Sequence, residues 1–170
     1  MRFRLLVLAL LLVLSGVASR ASAGDPLLNA GRDQMAKGNY DSAITYFSMA
    51  IDIWSKNDEA YIDRGVACAA KNQLDSAVAD LNTALQINPN SSEAYSSRAA
   101  VFVMKGVYDQ AIADATMALQ LNPGNPEAYY TRGVAGQLGQ KPETVNSDLA
   151  NAFRLGFKPA GDAAESFRRQ

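Results

Sequence analysis

Residues 60–89 read AYIDRGVACAAKNQLDSAVADLNTALQINP, and residues 94–123 read AYSSRAAVFVMKGVYDQAIADATMALQLNP, the same pattern displaced by 34 positions. Carried outward, this period divides the chain into units 24–57, 58–91, 92–125 and 126–159, with residues 1–23 in front and 160–170 behind. A fixed period of this length marks a stacked array of small structural units, so it takes precedence over any local motif. Within the second unit, Leu74, Ala77, Val78, Leu81, Ala84 and Leu85 recur at steps of three and four and share one face of a helix. Tyr61, Gly65 and Cys68 do the same on a helix ahead of it. Gly38, Asn72 and Gly106 mark the break between the two helices, because glycine and asparagine tolerate the left-handed backbone of a helix end, and in the last unit Gly139 sits one place earlier. Asn88-Pro89 and Asn122-Pro123 stop the second helix, since proline has no N–H to donate and clashes with the preceding turn.

Small residues form columns at the same period: Gly31, Gly65, Ala99 and Gly133 on the first helices, and Ala43, Ala77 and Ala111, then Ala50, Ala84, Ala118 and Ala152, on the second. Small side chains let helix axes approach to about 8–10 Å. Phe47, Leu81, Leu149 and the tyrosines Tyr61, Tyr95 and Tyr129 are the large side chains expected to fill the space around them. A single unit cannot bury its apolar face alone, so neighbours must stack.

The pattern resembles the tetratricopeptide repeat. That family has an aromatic at the fourth position, glycine or alanine at the eighth, alanine at the twentieth and twenty-seventh, and proline at the thirty-second. Here these are Tyr61, Gly65, Ala77, Ala84 and Pro89, then Tyr95, Ala99, Ala111, Ala118 and Pro123. The resemblance covers about four fifths of the chain and implies an all-α fold, a right-handed superhelical array of antiparallel helix pairs in about four repeats. Departures fall at the ends: Leu27 and Ser55 in the first unit, Val145 and Phe157 in the last. Terminal repeats are commonly atypical because one face meets solvent. The segment 160–170 is expected to be a short capping helix over the fourth unit or an unstructured end.

The first 23 residues read as an address. Arg2 and Arg4 precede an unbroken apolar run from Leu5 to Leu14, and Ala21-Ser22-Ala23 supplies small residues where a signal peptidase cuts. Cleavage between Ala23 and Gly24 gives an exported product, periplasmic or secreted, with no stable membrane insertion, since the run is shorter than the roughly 20 residues a membrane span needs. Removing Arg2, Arg4 and Arg20 from the 16 basic residues leaves 13 against 17 acidic ones. A mildly acidic product with scattered cations argues against nucleic-acid binding. Histidine is absent and Cys68 is the only cysteine, which excludes an internal disulfide and Cys/His zinc sites. Cys68, within the run VACAA, reads as a small buried hydrophobe. No nucleophile elbow, phosphate loop or metal motif appears, so neither an enzyme nor a cofactor is implied. Asn90-Ser91-Ser92 fits an N-glycosylation acceptor, relevant only to a eukaryotic source.

Charged columns follow the same period. Asp25, Glu59, Glu93 and Glu127 form one and Asp41, Asp75, Asp109 and Glu143 another, each in the first turn of a helix, where an acid complements the helix dipole, and one acid per unit gives no close carboxylate pair for acid–base chemistry or Ca²⁺. Arg64, Arg98 and Arg132 share a third column, and Asp80, Asp114 and Asp148 a fourth, sixteen residues on. The first unit lacks both, with Ala30 and Tyr46, and this joint presence or absence predicts guanidinium–carboxylate pairs within a unit or between neighbours.

In arrays of the family resembled, the first helices line a concave face that holds peptide segments of partner proteins. The resemblance implies that the second, fifth and ninth positions point into it: Asp25, Leu28 and Arg32; Glu59, Ile62 and Val66; Glu93, Ser96 and Ala100; Glu127, Tyr130 and Val134. Such a groove is mostly apolar or small with an acidic edge, suited to a segment with apolar anchors and a basic residue. Tyr130 is the leading contact residue, unless it packs on the next helix. Some members clamp a partner's terminal carboxylate with Lys and Asn, but the matching places hold Leu28, Asp63, Glu93 and Ser97, leaving Arg32 alone, so that mode is rejected. The expectation is therefore a non-enzymatic scaffold for a protein or peptide partner. The alternative is an architectural subunit of an envelope or secretion assembly, built in through its convex face or its ends.

Overall fold

The computed structural model describes residues 25–141, 143 and 145–157. The segment read as a signal peptide, with its expected cleavage between Ala23 and Gly24, and the segment 160–170 lie outside the described residues. Eight helices follow one another: α1 (Pro26–Ala36), α2 (Tyr40–Ile53), α3 (Asp58–Ala70), α4 (Leu74–Ile87), α5 (Ser92–Met104), α6 (Tyr108–Leu121), α7 (Pro126–Leu138) and α8 (Val145–Arg154). Odd-numbered helices are the first helices of the units and even-numbered ones the second. Each first helix packs on the second helix of its own unit, and α2, α4 and α6 each pack on the next first helix.

Local chemistry sets the boundaries. Asn57, Ser91 and Asn125, one period apart, cap α3, α5 and α7 by accepting from the N–H of Ala60, Ala94 and Ala128 at 3.3, 3.1 and 3.0 Å. Asp25 caps α1 through the N–H of Leu27, with Pro26 at the first helical position. The second helices end on Trp54, Asn88 and Asn122 with φ of -129°, -130° and -140°. Proline enforces this extended geometry after Asn88 and Asn122. Trp54 adopts it before Ser55, so stacking of the next unit suffices there.

One inter-helix turn departs from expectation. Gly38, Asn72 and Gly106 have φ of 73°, 61° and 74°, but in the fourth unit the left-handed residue is Gln140 at 58°, one period after Gly106, while Gly139 stays at -82°. The register of the array decides the backbone here, and the glycine serves another need. A Cβ on Gly139 would lie 2.9 Å from the Ala135 carbonyl oxygen and 3.0 Å from Cβ of Tyr108.

The core runs the length of the array as matched pairs. Phe47 is fully buried against Gly31, where an added Cβ would come within 2.3 Å of its ring. Gly65 faces Leu81, and Gly133 faces Leu149, and at each an added Cβ would lie only 3.0 Å from the leucine side chain. In the third unit, where Ala99 replaces glycine, the residue one period after Leu81 is Ala115, and both alanines are fully buried. A larger residue on the first helix thus goes with a smaller one on the second, so the two positions are matched as a pair. The same exchange accommodates Val145 at the alanine column: its Cγ2 lies 3.2 Å from where a Cβ of Gly136 would stand, at a place held by Phe102 one unit earlier. Cys68 is 5% exposed in this core, and burial pushes its thiol pKa up, as for a packing residue.

Candidate partner-binding groove

Consecutive first helices touch one another, α1 with α3, α3 with α5 and α5 with α7, whereas consecutive second helices do not pack side by side among the described residues. The first helices therefore form the inner, concave layer. At about 100° per residue, the second, sixth, ninth and thirteenth positions of a unit lie within about 40° of one line on its first helix. The fifth position lies about 60° away and turns toward the neighbouring helix.

That angle explains where the structure places the residues read from sequence. Glu59, Glu93, Glu127, Arg32 and Ala100 are exposed, Val66 is 39% exposed, and Asp25 and Val134 are half-buried along the stripe. Leu28, Ile62 and Ser96, all at the fifth position, are buried to 3%, 3% and 4% exposure and offer no surface to a partner. Ser96 is also consumed chemically: it donates to the Glu93 carbonyl at 3.0 Å and accepts from Nδ2 of Asn125 at 3.3 Å. Tyr130, the fifth-position residue of the last unit, stays half-buried with its ring stacked on Phe157, centroids 4.6 Å apart and planes 32° apart. Its neighbour thus follows α8 and is not a residue of a helix.

Three residues were missed in the sequence. Met104 and Leu138, at the thirteenth position, are 54% and 52% exposed, the most open large hydrophobics described. Their spacing of four from Ala100 and Val134 was the available signal. Asp63, at the sixth position, accepts from Nε of Arg32 at 2.8 Å, and Arg32 also reaches Glu59 at 3.3 Å. Arg32 is therefore already engaged by this chain's own acids.

The stripe is electrostatically one-sided. Burial pushes the Asp63 carboxyl up to about 6, opposed by Arg32 and reinforced by Glu93 and Glu59. Glu93 is likewise raised, by burial against the pull of Arg32, with Glu59, Glu127 and Asp58 adding to the rise. Carboxylates from three consecutive first helices thus sense one another around a single cation, a field that favours cations and repels a partner carboxylate.

On the opposite side of the same helices the charges are consumed internally. Arg64, Arg98 and Arg132 each grip the aspartate of their own unit with two bonds: Asp80 at 2.8 and 2.7 Å, Asp114 at 2.7 and 2.8 Å, Asp148 at 2.8 and 2.7 Å. The remaining NH1 reaches back to the preceding unit, to Ser48, Asn82 and Thr116 at 3.2, 2.6 and 3.3 Å. Each guanidinium also lies 5.6 to 5.9 Å from the ring centroid of Tyr61, Tyr95 or Tyr129. The first unit has no preceding neighbour among the described residues, consistent with Ala30 and Tyr46 there. The second acidic column has a structural role beyond the helix dipole, because Asp41, Asp75 and Asp109 each take a lysine of the following unit: Lys71, Lys105 and, at 2.5 Å, Lys141. The recurrence of Lys71 and Lys105 one period apart carried that signal.

Comparison with known proteins agrees with this geometry. Residues 65–106 match the family model described as TPR repeat. The chain has the tetratricopeptide-repeat fold. A crystal structure of MamA is 22% identical, covering 85% of this chain and 80% of its own, with a TM-score of 0.66. A thermophilic TPR protein of Thermus thermophilus is 21% identical over 76% of this chain and 73% of its own, with a TM-score of 0.71. The first TPR of Spaghetti, bound to the HSP90 peptide SRMEEVD, is 25% identical over 73% of this chain and 90% of its own, with a TM-score of 0.59. Comparison with curated proteins finds no match. The four helix pairs therefore form a TPR solenoid of about four repeats, right-handed as in that fold, and the stripe lies on its concave side. Among the described residues, no helix is long and apolar enough to cross a membrane and no group of His, Cys, Asp or Glu is arranged to hold a metal ion.

Proposed function

We propose that the protein is a non-enzymatic interaction scaffold that holds a peptide or helical segment of a partner protein on its concave face, outside the cytoplasm. The observation that carries the groove is the line of exposed side chains on the first helices: Glu59 and Val66, Glu93, Ala100 and Met104, Glu127 and Leu138. The ninth and thirteenth positions differ in character from unit to unit, while the second stays acidic and the buried ladder behind them repeats. Support for export comes from Arg2, Arg4, the apolar run Leu5–Leu14 and the small residues Ala21 and Ala23. The peptide named with the Spaghetti domain carries two consecutive glutamates and an aspartate. This chain's acidic stripe, with its arginine already paired, favours a partner of the opposite charge.

A photo-crosslinking residue at Ala100, with the protein in its native compartment, tests the reading. A partner should attach there, and Val66→Asp together with Tyr130→Ala should abolish the attachment. Equal crosslinking by that variant would place the binding surface elsewhere. N-terminal sequencing of the chain recovered from that compartment should begin at Gly24; a chain that keeps Met1 would remove the export reading.

A further inference from the structure

Each concave stripe is divided along its length. Acids sit at the beginning of the first helices, Glu59 with Asp63 on α3, Glu93 on α5 and Glu127 on α7, and exposed apolar side chains sit at the far end, Met104 on α5 and Leu138 on α7. Small or apolar residues lie between, Val66, Ala100 and Val134, and the far end of α3 carries the small Ala70. Side by side, the helices present two parallel tracks crossing the array, one acidic and one apolar. From Glu93 to Met104 is eleven residues of helix, about 16 Å at 1.5 Å per residue. That span matches a partner helix of about 10–12 Å diameter lying across the first helices with its two flanks on the two tracks.

We propose that the groove's partner is an amphipathic helix, bearing a row of Lys or Arg along one flank and a row of large apolar residues along the other, laid across α3, α5 and α7. The inference rests on the concave face being the binding surface. Charge complementarity selects cations for the acidic track, whose one cation among the stripe positions, Arg32, is tied to Asp63 and Glu59. Met104 and Leu138 stand more than half exposed and gain by burial. Neighbouring first helices lie about 8–10 Å apart, so a helix rising 1.5 Å per residue meets successive acids about every six or seven residues. Cations at i, i+7 and i+14 with leucines at i+1 and i+8 meet both tracks at once, since each set keeps its own flank and the two flanks lie about 100° apart around the helix.

The test uses three synthetic helical peptides against the full chain, followed by fluorescence anisotropy at low and high salt. The first carries lysines at i, i+7 and i+14 with leucines at i+1 and i+8. The second has the same composition permuted, and the third replaces the lysines by glutamates. The first should bind at least tenfold more tightly than the others and weaken with salt. Glu93→Lys should remove its salt dependence, and Met104→Asp should weaken it about tenfold while leaving the unfolding midpoint unchanged. Equal binding of the first and second peptides, with both lost on Val66→Asp, would overturn the two-track arrangement and leave the groove standing. Binding unaffected by any of these substitutions would overturn the groove as well. Binding of the first peptide only after removal of residues 158–170 would also overturn the proposal, assigning the tracks to the chain's own segment beyond Phe157.

Discussion

The two sides of the first helices differ in what they do with charge. On the side facing the second helices, Arg64, Arg98 and Arg132 repeat without variation, and each is spent on an aspartate, a neighbouring unit and a tyrosine ring. On the concave side, the matching positions change from Arg32 to Val66 to Ala100 to Val134, and the acids beside them are mostly open. Internal satisfaction explains the repetition: a group whose partner is itself repeated has no freedom to vary. Variation is tolerated where water is the only neighbour, and it is there that one unit can be made different from the next for a ligand.

If that contrast is right, disturbing the packed side should cost stability and disturbing the concave side should not. The largest loss is expected in the matched pairs. Phe47→Ala leaves a cavity in the first unit and should cost about 3–5 kcal/mol in denaturant unfolding. Gly31→Ala should cost about 1–3 kcal/mol by overpacking. Combined, the two copy the Ala99–Ala115 pair of the third unit and should lose clearly less than the sum of the single losses. A strictly additive result would break the account of shared bulk.

Next comes Arg98→Met, which strands the Asp114 carboxylate at 8% exposure and should cost about 3 kcal/mol. An unchanged midpoint would remove the ladder from the stability argument. The outer rungs should matter far less. Lys105→Met breaks the pair with Asp75, whose side chain is 95% exposed, and should move the thermal midpoint by about a degree at most. Met104→Asp on the concave stripe should stay within about 0.5 kcal/mol of the parent protein.

A pH dependence belongs to the concave side as well. An aspartate in the unfolded chain titrates near 3.9, whereas Asp63 in the folded protein is pushed up to about 6 by burial. The folded state therefore keeps this proton longer, and the contribution of Asp63 is most favourable below about pH 4 and is lost as pH rises to about 6. Raised Glu93 acts with the same sign. Denaturant unfolding at pH 4.5 and pH 7 should show a shallower loss on going to pH 7 in Asp63→Asn than in the parent protein. An identical slope in the two proteins would mean that Asp63 titrates as an exposed carboxyl.

Much of the scaffold was legible because its rules are local and repeated. Periodicity fixed helix pairs, asparagine–proline ends fixed where second helices stop, and the joint absence of arginine and aspartate from the first unit pointed to the rungs at Arg64–Asp80 and their copies. The columns did not say whether the guanidinium would stay within its unit or reach its neighbour. In the fold it does both, because a planar five-donor fork has N–H groups left after two go to a carboxylate.

The groove was less legible, because facing is a matter of angle between packed helices. Leu28, Ile62 and Ser96 share a helix with Val66 and Ala100 or their counterparts, yet lie far enough around it to be covered by the adjacent first helix. Met104 and Leu138 read as ordinary hydrophobic residues in the sequence and stand in solvent in the fold. Gln140 takes the left-handed backbone beside a glycine better suited to it, because the register of the whole array places the turn there.

By itself, then, the sequence determined the repeat, its helices, their stops and the pairing of bulk and charge, all of which depend on residues a fixed distance apart along one chain. Only the tertiary structure decided which of those residues face a neighbour and which face water. That choice is made by the stacking of one unit on the next, and no single unit contains it.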